Sequence, residues 1–234
     1  MFASFKRILT IAAITSLIAG VLLTFLQQVQ VIPSILAAEK YEQAAAGHHG
    51  EAHDRDAAGA HEHADEKADW QPAEGLERNL YTTLANIVVA LGYALLLGAI
   101  AFLRNAKLNW QSGLVWGLVG YVVFFLAPAL GMPPELPGSH SGALEERQLW
   151  WLLTVLCTGA GFALIFFNAR IVVKIAGALL LVLPHFGVPH APVPESLVPA
   201  ELIQSFIVAT ALTNAVFWLA LGGFYGFLNK KLAG

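Results

Sequence analysis

Six long apolar runs, separated by short polar or proline-rich segments, restrict what this chain can fold into more than any other feature. They cover residues 8–26, 80–103, 113–130, 150–167, 171–183 and 202–228. A helix crossing a bilayer needs about 20 apolar residues, because hydrocarbon offers nothing to backbone polar groups and each must be satisfied within its own segment. Five of the six runs reach that length with their flanks. The fifth is short and follows the fourth after only Asn168, Ala169 and Arg170. It reads either as the partner of the fourth in a tight helical hairpin or as a re-entrant half-helix ended by Pro184. The runs are continuous rather than alternating, which favours helices over barrel strands. Charged residues make up 12 % of the 234, about half the share of a soluble domain. The expected fold class is all-α: a polytopic transmembrane helix bundle of six helices, or five if the short segment does not span.

Charge chooses between six and five. Lys and Arg are retained on the cytoplasmic side of span ends. With the amino terminus inside and six spans, the inner segments hold Lys6, Arg7, Arg104, Lys107, Arg170, Lys174, Lys230 and Lys231, and no acid. The outer segments hold the other bases, Lys40, Arg55, Lys67, Arg78 and Arg147, against all 16 acids. Five spans would put Lys230 and Lys231 outside and break the pattern. The charge count therefore favours six, with both termini cytoplasmic. The first run is longer than the apolar core of a signal peptide and no small-x-small cleavage site follows it promptly, so it is expected to remain as an anchor.

Three regions follow: residues 1–38, the first helix and its outer flank; 39–78, an acidic His-rich loop; and 79–234, a bundle of five helices. The loop lacks the apolar content to fold alone and is expected to be mostly disordered. Pro33 is expected to end or kink the first helix. The stretches 131–148 and 184–199 carry three and five prolines and read as stiff outer loops. One cysteine, Cys157, excludes an internal disulfide and any multi-thiolate site within the chain. There is no Walker sequence, G-x-S-x-G or H-E-x-x-H, so neither ATP hydrolysis nor a familiar hydrolase is supported, and no enzyme is expected.

The segment HHGEAHDRDAAGAHEH gathers His48, His49, His53, His61 and His63 among carboxylates, five of the eight histidines within 16 residues. Neutral imidazole and carboxylate suit Co²⁺, Ni²⁺ and Zn²⁺, and a flexible tract can wrap several imidazoles round one ion. The affinity order of such a site cannot choose cobalt over the other two. The bland alternative is a solvated acidic linker. His140, His185 and His190 also fall on the outer side, so every histidine faces one compartment, which fits capture before uptake better than delivery after export. In LPHFGVPHAP, prolines would hold His185 and His190 at the outer end of the short helix, with Glu135 and Glu201 as oxygen ligands. Alternatively, His185 simply binds a helix-end carbonyl.

Polar residues within or beside the spans include Gln27, Gln28, Asn86, Thr154, Cys157, Thr158, Thr210, Thr213 and Asn214. Ion pathways usually mark themselves with buried Asp, Glu or His. These groups read mainly as helix–helix hydrogen bonds, and their neutrality suggests that a partner contributes ligands. The pairs Gly113/Gly117 and Gly222/Gly226 mark packing faces. Trp110, Trp116, Trp150, Trp151 and Trp218 are expected as interface anchors.

Taken in order, LQQVQVIPSILAAEKYE, the His/acid loop, WQPAEGLERNLYT, GLVWGLVGYVVFFLAPALGMPPELPG, ERQLWWLLT, LLVLPHFGVPHAP, VPAELIQSF and FWLALGGFYG span nearly the whole chain. In these segments the sequence resembles the CbtA family, predicted cobalt transporter subunits of cobalamin-making bacteria. The resemblance implies a membrane subunit for uptake of a divalent metal, cobalt above all, across the cell inner membrane. It further implies a small single-span, His-bearing companion of the CbtB kind, and no catalytic cofactor. The family is usually described with five spans, where the charge count here favours six. A metal-binding membrane sensor or sequestration module, and a nickel or cobalt exporter, are the competing functions.

Overall fold

The computed structural model describes residues 2–51, 72, 73, 75–137, 143–189 and 198–232, and for 2–4 and 42–51 the backbone path alone. Among the described residues there is no strand; six helices account for the fold. Helix α1 is continuous from Phe2–Leu26 through a widened π turn at Gln27–Val31 into Ile32–Glu51. Helix α2 is Leu76–Leu103. Helix α3 joins Trp110–Tyr121, a second π turn at Val122–Leu126 and Ala127–Gly131. Helix α4 is Leu144–Phe167, α5 is Ile171–Val182 tightening into a 3-10 turn at Leu183–Gly187, and α6 is Ala200–Lys231.

Both π turns have the same local cause. A proline has no N–H to give the carbonyl four residues back, and its ring crowds that carbonyl. Pro33 follows the first π turn by two residues and Pro128 follows the second by two. At the junctions the bonds lengthen by one residue: Ile32 N–H donates to Gln27 O, and Ala127 N–H to Val122 O. One inserted residue relieves the crowding without ending the helix. Pro33 therefore does not stop α1, which runs helically past residue 38 to Glu51. Ala and Glu in that stretch are good helix formers, which lets it leave the composition-based boundary behind. At about 1.5 Å per residue, the 37 residues Phe5–Tyr41 reach roughly 55 Å, well beyond a hydrocarbon core of about 30 Å.

Five helices are long and apolar enough to cross a membrane: Phe5–Tyr41, Leu76–Leu103, Trp110–Gly131, Leu144–Phe167 and Ala200–Lys231. The shorter apolar helix Ile171–Gly187 is the hairpin partner of α4, closed by Asn168–Arg170. Gly161 and Gly177 meet at their crossing, where a methyl group on either would press on the other's carbonyl. Pro184 does not end it; the chain tightens instead, and the Trp150 indole N–H donates to Pro184 O at 2.9 Å. The hairpin thus returns to the level at which α4 began.

The core lies between α1, α2 and α6, built from Ile11, Ala12, Ala19 and Leu23, Ala90 and Ala94, and Phe217, Trp218, Leu221 and Tyr225. Helices α3 and α6 touch along their glycines: a methyl group at Gly113 would overlap Gly222 O, and one at Gly226 would overlap Asn109 O. Trp218 is buried among Tyr93, Phe124 and Phe217, and Trp150 is buried too. These two tryptophans are core rather than interface anchors, because a ring-sized hollow stands opposite Gly120 and Gly131. The outward faces carry Leu84, Val88, Leu156, Ile175, Leu179 and many like them, exposed in the isolated chain, as helices surrounded by lipid require.

The helix ends sort into two groups. At one end, Arg7, Asn105 and Asn229 share a hollow, and the Arg104 guanidinium lies 3.7 Å from the Phe167 ring centre. At the other, Val31, Ala38, Leu136, Val198 and Phe206 form a second buried cluster that ties α1, both proline-rich loops and the start of α6.

Candidate functional site

Polar side chains step down the α1–α2 seam from that second end. Arg78 pairs with Glu39 at 3.2 Å. Below them, the Gln28 side-chain amide donates to Asn79 Oδ1. Two turns deeper, Asn86 Nδ2 donates both to Gln27 Oε1 at 2.7 Å and to Thr24 Oγ1 at 3.0 Å, and the Thr24 hydroxyl donates to Gly20 O. The π turn spreads the glutamines over two neighbours: Gln27 and Gln28 face α2, while Gln30 Oε1 accepts from the Thr213 hydroxyl of α6 at 3.5 Å. Regular helix geometry would place these three side chains differently; the inserted residue turns the ones after it by about 100°. In lipid such amide pairs hold helices together at close to 1 kcal/mol each. Their oxygens are hard, neutral donors that a cation could use only in exchange for the existing hydrogen bonds.

The His185 imidazole lies near the same end. Its Nε2 is 3.1 Å from Ala127 O, just after the second π turn, and its ring stands edge-on to Trp150. The carbonyl belongs to α3 rather than to the end of the helix that carries His185. Glu135 is 2.8 Å from the Arg147 guanidinium. Glu201 is exposed in the first turn of α6, where a carboxylate complements the helix dipole. His48 and His49 lie on the last turn of α1 with only their backbone described. His53, His61, His63, His140 and His190 lie outside the described residues. Among the described residues no three His, Cys, Asp or Glu side chains come together as a metal site.

Deeper in the bundle the surroundings are apolar. A cavity of about 750 Å³ between α2, α3, α4 and α6 is lined by Tyr93, Trp116, Phe124, Phe162, Phe167 and Trp218, among others. Thr15 and Thr158 are fully buried with hydroxyls that find no partner among the described residues. Between their end turns the described spans contain no Asp, Glu or His, so a cation crossing this chain alone would have only neutral oxygens to follow there.

Gln30, Thr24 and Asn79 escaped the sequence reading. A signal for Gln30 was present in LQQVQVIP, where three amides within four residues precede a proline; nothing local marked Thr24 or Asn79. A proline-induced insertion is what turns the glutamines toward partners, and its position is set by packing.

A family described as probable cobalt transporter subunit (CbtA) matches residues 5–230. No curated protein and no solved structure matches the chain.

Proposed function

The chain belongs to the CbtA family, and from that premise we propose that it is the membrane subunit of a divalent-metal uptake transporter with Co²⁺ as its cargo. The tract containing His48, His49, His53, His61 and His63 would collect the ion outside the bacterial inner membrane. His185, His190, Glu135 and Glu201 would then receive it at the mouth of the bundle, and the Gln27–Asn86–Thr24 steps would follow. The observation that carries this reading is the separation of chemistries along the bundle. Amides, carboxylates and His185 mark one end, and the eight bases Lys6, Arg7, Arg104, Lys107, Arg170, Lys174, Lys230 and Lys231 belong to the other. Cytoplasmic retention of bases makes the first end the outer one. Subunit status, and spans without charged ligands, support a partner such as a small single-span membrane protein that brings imidazoles of its own.

Cobalt accumulation in matched cells with and without the protein, at limiting cobalt and with the small neighbour present in both, tests the proposal. Higher accumulation with the protein is expected; equal uptake overturns it. The neutral interior also favours a second reading, a metal-binding sensor or sequestration module. Deleting residues 48–63 separates the two. A transporter keeps its maximal uptake and needs more external metal, since the tract only raises local concentration. A sensor loses its response altogether. An exporter of nickel or cobalt shows the opposite sign, with cellular metal rising when the gene is removed.

A further inference from the structure

The basic end of the bundle holds a hollow with a chemistry unlike anything at the outer end. It has a volume of about 180 Å³ and is lined by Arg7, Ile8, Gly98, Ala101, Phe102, Asn105, Ala106, Tyr225 and Asn229. At about 30 Å³ per liquid water, it has room for a phosphate group and some of its water. Three elements bring its polar groups together. Arg7 comes from the start of α1. Asn105 comes from the turn after α2, where its φ of +50° bends the chain back. Tyr225 and Asn229 come from the same face of α6, four residues apart.

Every one of these side chains can donate a hydrogen bond, and no carboxylate is present. Arg7 makes no ion pair among the described residues. Tyr225 is only 1 % exposed, and its hydroxyl lines the hollow without a hydrogen-bond partner among the described residues. A buried phenol normally finds a partner. Asn229 gives one N–H to Leu108 O at 3.1 Å and keeps its other. A guanidinium, an unused phenol O–H and two amides converging on one hollow are a receptor for an oxyanion, and the guanidinium fork suits phosphate in particular. A metal cation would be repelled here, so the hollow is separate from the proposed cargo route.

We propose that this hollow binds a phosphate group, with Arg7 pairing its charge and Tyr225, Asn105 and Asn229 donating to its oxygens. The apolar side chains of Ile8 and Phe102 beside the polar groups favour the phosphodiester of an anionic phospholipid over free phosphate. Ile8 and Phe102 continue the lining toward the lipid-facing surface, and Phe102 is 55 % exposed there. A headgroup seated between α1, α2 and α6 would clamp the three helices that form the core, which is how basic pockets between spans use acidic lipids.

The experiment is thermal unfolding of the detergent-purified full chain, titrated with phosphatidylglycerol, with phosphatidylcholine or with inorganic phosphate. Phosphatidylglycerol is expected to raise Tm saturably, and phosphatidylcholine is not. Arg7→Gln and Tyr225→Phe should each raise the half-saturating concentration by about tenfold or more, from the value of a hydrogen bond to a charged group. Without lipid, Tyr225→Phe should unfold at the wild-type Tm, because the hydroxyl it removes has no protein partner; this keeps the test valid if Arg7→Gln folds poorly. Lys174→Gln, a base outside the hollow, should respond as wild type. A saturable response to inorganic phosphate alone, lost in the same two variants, supports the phosphate site and assigns it to the soluble anion. Responses to phosphatidylglycerol that are unchanged in both Arg7→Gln and Tyr225→Phe, or no response to either ligand, overturn the proposal.

Discussion

Asn86 is the residue on which most of the intramembrane polar contact rests, since one amide serves both Gln27 and Thr24. Replacing it by leucine removes both bonds and strands two oxygens in an apolar seam. Asn86→Leu should therefore lower stability in detergent by about 1–2 kcal/mol, for two bonds of the size measured between membrane helices. If the proposed uptake uses these oxygens, cobalt accumulation should fall much further than that loss of stability explains. A proportionate fall would confine Asn86 to packing. Glu135 poses a different question, because Arg147 occupies its carboxylate. The pair is about one-third exposed, so breaking it costs under about 1 kcal/mol. Arg147→Gln should leave Tm nearly unchanged while tightening Co²⁺ binding, read by calorimetry, if Glu135 is a ligand. Unchanged binding would remove Glu135 from the proposed set.

At the scale of elements, the two π turns are the feature with most consequence. Each adds one residue to a turn, so every side chain beyond it is rotated relative to a regular helix. Pro33→Ala restores the missing N–H and removes the crowding that the first π turn relieves. The expected outcome is a regular helix in which Gln30 is turned relative to Gln27, so that the two can no longer meet Thr213 and Asn86 together. Cysteine pairs linking the α1 and α2 seam should then crosslink with a shifted register in Pro33→Ala, and an unchanged register would show that tertiary packing, not proline, holds the turn. The α3–α6 seam depends on the opposite quality, the absence of side chains. Gly222→Ala drives a methyl into Gly113 O and the Gly117 backbone. Because both neighbours are backbone, it should cost about 1–3 kcal/mol, as overpacking does, measured by unfolding in detergent. The same change at Gly92, which faces open space, should be close to neutral.

For the whole molecule, the decisive property is its polarity from end to end. Reporter fusions at residues 40–75 and at the carboxyl terminus should report opposite sides of the membrane if six helices cross. Fusions on the same side would contradict the shared hollow of Arg7 and Asn229, which sets both ends of the bundle's sequence at one level, and would overturn the hollow along with the six-span arrangement.

Much of this architecture could be read before any coordinates. Apolar runs define all-helical spans because a lipid solvent leaves the backbone no alternative, and that constraint acts on each segment separately. Glycine pairs were legible for the same local reason, while the short fifth segment stayed open between a hairpin partner and a re-entrant half-helix. What needed the tertiary structure depends on residues far apart in the chain. It decided that Pro33 distorts α1 through a π turn without ending it, took Trp218 and Trp150 from the interface into the core, and gave Asn86 its two partners. It also gathered Arg7, Asn105, Tyr225 and Asn229 around one hollow. Helical periodicity says which side a residue faces, but only packing says what stands opposite, and both hydrogen bonds and ligand sites are made of opposites.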